Sequence, residues 1–193
     1  MKASVAFALG ALRQPRRVGA IAPASAHLVS AIVEEVRCAP ARVVIEAGAG
    51  TGAITQQLTQ RLPQLKHIIV YECEPSYVAL LRLQYPRVET VQECASTMHG
   101  RVAALAEPIT IISSLPLLSM PKADSQRCID AFIDVIARQP ESRLIQYTYG
   151  HPWKPPFRLP GKYWRWRRCA VVLRNLPPAT VWALDADAAV AVP

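Results

Sequence analysis

The residues with the clearest chemical signature are three glycines that follow a short apolar run. The run 43–47 leads directly into Gly48, and glycine recurs at Gly50 and Gly52. Glycine adopts backbone conformations with positive φ and lets the main chain pass close to a ligand. A helix that begins at such a turn directs unpaired N–H groups at an anionic group. The turn, which also includes Ala49, is therefore predicted to hold a nucleoside ligand, with the carboxylate of that ligand near the helix start.

Glu46 distinguishes between two kinds of nucleoside ligand. Gly48, Gly50 and Ala53 also satisfy a looser dinucleotide-binding pattern. The acidic residue two positions before the first glycine, in the order E-x-G-x-G-x-G, instead resembles the motif of methyltransferases that use S-adenosylmethionine. The resemblance implies S-adenosylmethionine as the cofactor, with Glu46 orienting the turn and interacting with the methionine end of the cofactor.

Two further strand ends complete the predicted cofactor site. Glu72 lies 20 residues after Gly52, where a carboxylate can accept both ribose hydroxyl protons, and Cys73 follows it. After the third strand, similar methyltransferases commonly have Gly-Asp-Ala and bind the adenine amine through the aspartate. Here Cys94 replaces the aspartate and precedes Ala95. We therefore expect backbone groups or apolar packing to hold the adenine.

The predicted acceptor site begins where the fourth strand ends, at Ser113 and Ser114. Ser113 is also expected to border the cofactor. A hydroxyl and backbone carbonyls can hold a neutral amine by its protons and leave its lone pair free for in-line attack on a methyl group. We expect Leu115 to contact the substrate, and Tyr147 and Tyr149 to orient the amine or close the pocket.

Position 117 bears on the class of substrate. In rRNA adenine dimethyltransferases, which this loop resembles, the matching residues read Asn-Leu-Pro-aromatic, and the aromatic ring stacks on a flipped base. Here the residue is Leu117. A nucleobase acceptor is therefore disfavoured, although rRNA adenine methylation, another small amine acceptor and a non-catalytic lipid-binding role remain alternatives.

Four segments carry a narrower resemblance, to the bacterial phospholipid N-methyltransferases: residues 18–23, 114–117, 146–150 and 175–179. The likeness extends from about residue 12 to residue 184. It implies a cytoplasmic enzyme, peripheral at the inner face of the bacterial membrane, that converts phosphatidylethanolamine to its mono-, di- and trimethylated forms. Ornithine lipid is another amino-lipid acceptor within reach of the same chemistry.

The charge distribution favours an anionic partner. Residues 1–33 carry four basic and no acidic side chains, and residues 142–184 carry eight basic and no acidic side chains. The segment 151–168 interleaves six of those basic residues with three of the four tryptophans, including Trp153. Trp suits the head-group level of a membrane, and each basic residue near an anionic leaflet contributes about 1 kcal/mol. Arg16 and Arg17 are candidates for holding the lipid phosphate, and single-stranded nucleic acid is the alternative partner.

The elements that must position these residues alternate between strands and helices. Strands are predicted at 42–46, 67–72, 88–92, 109–113 and 143–149, and helices at 24–37, 51–62, 75–84, 96–106 and 123–139. Two short strands, 169–175 and 180–184, then form a hairpin. This order resembles the class I methyltransferases, which implies an α/β, Rossmann-like fold with a seven-stranded sheet whose last hairpin is antiparallel.

We predict one domain, 1–193, in three parts. These are an N-terminal helical substrate or membrane segment (1–37), a cofactor-binding core (42–149), and a basic aromatic loop with the C-terminal hairpin (150–193). The first helix, 2–13, is either an interfacial membrane helix or an ordinary helix packed on the core.

Composition excludes several other classes of protein. The five cysteines are odd in number and lack CxxC spacing, and the four histidines are scattered, so neither a disulfide framework nor a metal site is predicted. The cysteine usage suits a reducing cytoplasm. There is no uncharged apolar run of about 18 residues to span a bilayer, and the N-terminal pattern is not that of a signal peptide. The oligomeric state is not predicted.

Overall fold

The computed structural model describes residues 24–102, 105, 107–138, 141–159, 161 and 163–186. The predicted helix 2–13, the basic pair Arg16 and Arg17, and the segment 18–23 lie outside the described residues. The strands are β1 (Val43–Ala47), β2 (His67–Tyr71), β3 (Glu89–Val91), β4 (Ile109–Ser113), β5 (Arg143–Tyr149), β6 (Trp164–Val172) and β7 (Ala179–Ala186). The helices are α1 (Ala26–Arg37), α2 (Ala53–Arg61), α3 (Pro75–Gln84), a 3₁₀ turn (Ala95–Thr97), α4 (Met98–Val102) and α5 (Lys122–Arg138).

The seven strands form one sheet in the order β3-β2-β1-β4-β5-β7-β6. Strands β1 to β5 pair in parallel, whereas β7 is antiparallel to both β5 and β6. The predicted class I methyltransferase fold is confirmed. Chain order reverses between β1 and β4, and in such sheets ligands bind outside the carboxyl ends of the strands at this switch point.

The final hairpin is longer than the sequence prediction. The segment 164–168 was predicted as loop, but it forms the first half of β6 and pairs with the end of β7. Trp164 and Trp166 pack against the apolar core, while Arg165 and Arg167 are exposed. This alternation has the period of two that a strand requires when one of its faces is buried. The sequence prediction missed it because alternating tryptophan and arginine also fit an aromatic basic loop.

Helices cover both faces of the sheet. Helix α1 buries Leu28, Ile32 and Val36 against one face, a spacing that places them on one stripe of a helix. The Ser25 side chain caps α1 by accepting the N–H of Leu28 at 3.2 Å. Helix α5 buries Phe132 and its neighbours on the other face. Because helices cover both faces of the sheet, the loops at the carboxyl ends of the strands are the part of the switch point that a ligand can reach.

An ion-pair network joins α1 to the last three strands at the opposite edge of the sheet. Glu35 contacts Arg143 at 3.1 Å and Arg167 at 2.5 Å, and both arginines also contact Asp185, at 3.1 and 3.4 Å. The Glu35 side chain is only 12% exposed. Because two guanidinium groups share this carboxylate, its charge is well compensated in a poorly solvated place.

Replacing Glu35 with Gln is expected to destabilise the fold. The variant removes the carboxylate charge that Arg143 and Arg167 share and leaves Asp185 as their anionic partner, which costs about 2 kcal/mol for the weakened hydrogen bonds to charged groups. Urea unfolding measures the change. Glu34→Gln is the matched control, because Glu34 pairs with Arg37 and Arg61 on the exposed face of the same helix. Equal losses in the two variants would show that the network adds nothing to stability.

Candidate active site

The glycine turn joins β1 to α2 and borders open space at its centre. Gly48, Gly50 and Gly52 all have positive φ, at 79°, 54° and 83°. A Cβ atom at Gly48 would lie 2.8 Å from the Leu115 side chain, and one at Gly52 would lie 2.8 Å from the Leu81 side chain. At Gly50 a Cβ would meet nothing within 4 Å. The middle glycine therefore faces the space into which a ligand can approach the backbone.

Glu72 holds the glycine turn in place. Its Oε2 accepts the N–H of Gly50 at 2.8 Å, and its Oε1 accepts the N–H groups of Cys73 and Glu74 at 2.8 and 2.9 Å. A carboxylate has about four acceptor sites, so one remains on Oε2. If Glu72 is to accept two ribose hydroxyl protons, as predicted, its Oε2 must either accept a proton in addition to the Gly50 N–H or give up its bond to Gly50.

Glu46 links β1 to α2 beneath the same turn. Its side chain is 1% exposed, and its Oε2 accepts the Thr55 hydroxyl proton at 2.6 Å. Burial raises the pKa of the carboxyl group from 4.5 to about 7; the Thr55 hydrogen bond opposes the shift and the Glu72 charge adds to it. The bond to Thr55 ties β1 to the helix that follows the glycine turn, and the roles of Glu46 in orienting the turn and in contacting the methionine end stay predictions.

Cys94 and Ala95 follow β3 at the same edge of the sheet. Cys94 is exposed, whereas Ala95 is 4% exposed and packs into the core between the sheet and α5. The contribution of Ala95 to an adenine contact is therefore confined to its backbone. Cys94 is the side chain at the place where similar enzymes have aspartate.

A pocket of about 210 Å³ lies at the carboxyl ends of β4 and β5. Its lining combines a short loop after β4 with the end of β5: Ser114, Leu115, Pro116, Leu117, Leu118, Ser119, Gln146, Tyr147, Thr148, Tyr149 and Pro156. This volume is below the roughly 300–1,000 Å³ of sites for drug-sized ligands. The pocket therefore suits a small group of a ligand, with the rest of that ligand lying outside.

Most of the predicted acceptor residues meet in this pocket. Ser114, Leu115, Tyr147 and Tyr149 line it, while Ser113 lies beside it on β4, fully buried. The Ser113 Oγ has no hydrogen-bond partner among the described residues. Because Leu115 also contacts Gly48, the pocket adjoins the glycine turn.

The two tyrosines pack edge to face, with ring centroids 5.6 Å apart and an angle of 87°. Burial raises the pKa of both the Tyr147 and the Tyr149 hydroxyl groups. Both phenols are therefore protonated at neutral pH and able to donate hydrogen bonds. A protonated phenol does not act as a proton acceptor, and the predicted roles of the two tyrosines, orienting the amine or closing the pocket, stay predictions.

Gln146 is a pocket residue that sequence reasoning missed. Its Nε2 donates to the carbonyls of Tyr147 at 3.2 Å and Leu115 at 3.5 Å. Its Oε1 is buried and has no partner among the described residues. An unpaired buried acceptor is costly, so Oε1 is a pocket-side atom able to accept a further hydrogen bond. The sequence signal that could have identified Gln146 is a polar amide side chain directly after Leu144 and Ile145, inside an otherwise apolar strand.

The aromatic basic segment is partly structural. Trp166 packs edge to face on Phe157 at 5.1 Å and donates its indole N–H to the Phe157 carbonyl at 3.2 Å. Trp153 lies outside the pocket lining and is 74% exposed, with the Arg168 guanidinium 4.8 Å from its ring centroid. Trp153 and Tyr163, which is 60% exposed, are the well-exposed rings of the segment among the described residues, and their contact with a partner stays a prediction.

In the part of the chain that the structure describes, no helix has the length and apolarity to cross a bilayer. Over the same residues, no three His, Cys, Asp or Glu side chains are grouped to hold a metal ion.

Comparisons with known proteins indicate a methyltransferase. No family model matches the chain. The chain is 29% identical over 176 residues to ornithine lipid N-methyltransferase of Singulisphaera acidiphila, covering 84% of this chain and 85% of the relative. It is 32% identical over 93 residues to ribosomal RNA small subunit methyltransferase A of Laribacter hongkongensis, covering 47% of this chain and 34% of that protein.

The solved structures show the fold. The 1,6-didemethyltoxoflavin-N1-methyltransferase of Burkholderia thailandensis superposes with a TM-score of 0.60 at 16% identity, covering 95% of this chain and 87% of that one. At this identity the likeness establishes the arrangement of strands and helices, which is that of the class I methyltransferases.

Proposed function

We propose that the chain, an S-adenosylmethionine-dependent methyltransferase, transfers the methyl group to the primary amine of a membrane-lipid head group. The observation that carries the proposal is a small pocket with an unpaired acceptor, opening beside exposed apolar side chains and unpaired cations. The similarity along most of the chain to a protein named ornithine lipid N-methyltransferase supports it.

The residues of the glycine turn fit the cofactor. Gly50 faces open space, Glu72 keeps one acceptor site, and Cys94 lies exposed at the neighbouring strand end. In this arrangement the turn holds the methionine part, Glu72 the ribose and the region of Cys94 the adenine. When bound, S-adenosylmethionine supplies a methyl group on a sulfonium centre that a nucleophile can attack.

The pocket residues hold the acceptor amine. The Gln146 Oε1 and the Ser114 hydroxyl accept N–H protons of a neutral amine, which leaves its lone pair directed away from them. The pocket has no strong base among its lining residues, and none is needed, because an amine with a pKa near its ordinary range can lose a proton to water or the lipid phosphate. Positioning then supplies most of the acceleration.

Replacing Gln146 with Met tests this contact. Loss of the buried acceptor is expected to lower kcat/KM for the amine by roughly tenfold to a hundredfold, the equivalent of about 1–3 kcal/mol. Affinity for S-adenosylhomocysteine, measured by calorimetry, is expected to stay unchanged. An unaltered kcat/KM would remove Gln146 from the acceptor site.

The exposed apolar side chains surround the carboxyl edge of the sheet. This apolar rim consists of Leu118 after β4, Trp153 after β5, and Leu173 and Leu176 in the β6–β7 turn. The turn lies at this edge because the Gly150 N–H donates to the Pro178 carbonyl at 3.1 Å. A rim of this kind beside a pocket that holds a few polar groups is typical of a surface that contacts a partner or a membrane.

Cations accompany the apolar rim. Lys154 and Arg174 are exposed and form no ion pair with any described residue, and Arg168 stacks on Trp153. An anionic lipid surface complements this combination, because apolar and aromatic side chains enter the interface while cations contact head groups. The occupant proposed for the rim is therefore the anionic face of a membrane.

Loss of two rim leucines is expected to weaken membrane binding. The double variant Leu118→Ser and Leu176→Ser should reduce partitioning to anionic vesicles by at least roughly tenfold, because each leucine loses transfer free energy of about 1 kcal/mol or more. Vesicle sedimentation measures this. Leu83→Ser is the control, since Leu83 is 82% exposed, as Leu118 (76%) and Leu176 (83%) are, but lies on α3. Equal effects of both changes would argue against the rim.

The identity of the head group is tested by supplying vesicles of phosphatidylethanolamine and of ornithine lipid in parallel. Mass spectrometry then identifies mono-, di- and trimethylated products. Methylation of either lipid supports the proposal and identifies the acceptor. Methylation of neither lipid, with cofactor bound, would overturn the lipid assignment.

RNA is the weaker alternative. The match to the rRNA methyltransferase covers only 34% of that protein's length. Leu117 is 8% exposed and lines the pocket, so the pocket lacks the aromatic ring that stacks a flipped base at this position.

A further inference from the structure

Three thiols lie together beside the adenine end of the proposed cofactor site. Cys73 follows β2 and Cys94 follows β3, two adjacent parallel strands paired at Tyr71 and Val91. The Cys73 Sγ donates to the Glu93 carbonyl at 3.5 Å, which places it next to the peptide that leads into Cys94. Cys128, on α5, is fully buried behind them.

The three sulfur atoms differ in environment. Cys94 is exposed, and its Sγ accepts the Ser96 hydroxyl proton at 3.2 Å. The thiols of Cys128 and Cys73 are close enough to Cys94 to shift its pKa. Interaction with them, led by Cys128, lowers the pKa of Cys94, whereas interaction with Cys94 and burial raise the pKa of both Cys73 and Cys128. Cys94 is therefore the exposed thiol of the group, and the one whose environment favours the nucleophilic form.

We propose that Cys73 and Cys94 are an oxidisable pair whose disulfide impairs the cofactor site. The oxidant is a peroxide. The Cys94 thiolate attacks one peroxide oxygen, so that the O–O bond breaks and a sulfenic acid forms, with one molecule of water after protonation. The Cys73 sulfur then attacks the sulfenic sulfur, and a second water leaves. Two thiols and one hydrogen peroxide thus become one disulfide and two waters.

Cys73 is the partner because of its position. It is partly buried at the end of the adjacent strand, at the same surface as Cys94, whereas Cys128 is 0% exposed within the core under α5. Cys73 and Cys94 lie two and three residues beyond the paired residues Tyr71 and Val91, so a bridge between them joins two neighbouring strand ends at the surface. A bridge to Cys128 would open a packed core, which is costly.

The bridge would act on two contacts of the cofactor site. It would draw Cys94 away from the adenine, and it would restrain Cys73, whose N–H is bonded to the Glu72 carboxylate. This consequence rests on the proposed cofactor site. Oxidation is expected to weaken S-adenosylhomocysteine binding by at least roughly tenfold, the loss of about one hydrogen bond.

Peptide mapping tests the pair directly. Trypsin places Cys73 in peptide 67–82, Cys94 in peptide 88–101 and Cys128 in peptide 128–138, so each possible bridge has its own mass. After treatment of the full chain with hydrogen peroxide, we expect peptides 67–82 and 88–101 to be joined, and dithiothreitol to separate them. Cys73→Ser should abolish the bridge, and Cys38→Ser, at an exposed cysteine elsewhere, should leave it intact.

The second readout is calorimetric titration with S-adenosylhomocysteine. It is carried out before oxidation, after oxidation and after subsequent reduction. A bridge between 67–82 and 88–101, with affinity lost and then restored, supports the proposal. A bridge from Cys94 to Cys128, over-oxidation without any bridge, or a bridge that leaves affinity unchanged would overturn it. Because neither readout measures methyl transfer, a wrong lipid assignment would leave both results interpretable.

Discussion

Replacing Gly50 with alanine is expected to abolish measurable cofactor binding while the protein stays folded. The added Cβ meets no protein atom within 4 Å, so it enters the space where a ligand would contact the turn. A non-glycine residue at φ 54° costs roughly 1–2 kcal/mol of stability, which a folded domain tolerates. We expect S-adenosylhomocysteine affinity to fall by roughly a hundredfold or more, about 2.7 kcal/mol.

Calorimetry for binding and thermal unfolding for stability separate the two effects. Gly161→Ala is the matched control, because Gly161 has φ 88° and its added Cβ would lie no closer than 3.7 Å to another atom. It should have a similar stability cost and leave binding unchanged. Retained affinity in Gly50→Ala would show that the cofactor does not pass this glycine.

Replacing Glu46 with Gln is expected to change stability and cofactor affinity in opposite directions. The pKa of the carboxyl group is about 7 in the folded protein against an ordinary 4.5, so the folded state holds its proton more tightly than the unfolded state does. The free energy of unfolding therefore falls as pH rises from 4.5 to about 7, by up to roughly 3 kcal/mol. Glutamine keeps an acceptor for the Thr55 hydroxyl and removes this loss, so the variant should be more stable than the wild type above pH 7.

Cofactor binding should respond in the other direction. The proposed contact of Glu46 with the methionine end, which carries a cationic amino group, favours the ionised carboxylate, so wild-type affinity should increase as pH rises to about 7. The Glu46→Gln variant lacks this charge, and we expect roughly tenfold weaker binding with no such rise. Urea unfolding and calorimetry across this pH range measure both quantities. A variant that binds as tightly as the wild type would confine Glu46 to its structural bond with Thr55.

The features predicted correctly depend on short stretches of sequence. Strand β1, the glycine turn and the start of α2 follow from one continuous run, in which residue type alone indicates burial and positive φ. The fold class followed from the alternation of strands and helices. Leu115, Tyr147 and Tyr149 were expected at one acceptor site, and they line one pocket because β4 and β5 end at the same edge of a parallel sheet.

The features that were missed depend on contacts between distant segments. The three backbone bonds of Glu72 depend on how the loop after β2 meets the glycine turn, and spacing along the chain does not specify that geometry. Gln146 has a free acceptor only because two carbonyls engage its amide nitrogen. The proximity of Cys73, Cys94 and Cys128 follows from strand pairing and helix packing, since their spacing in the sequence matches no thiol motif.

The central claim, methyl transfer to an amino lipid, is tested most directly with labelled S-adenosylmethionine. The full chain is incubated with anionic vesicles containing phosphatidylethanolamine or ornithine lipid, and ribosomal RNA is supplied in parallel as the competing acceptor. We expect label in the lipid extract, lost in Gly50→Ala and retained in Gly161→Ala. Label in the RNA fraction alone would contradict it.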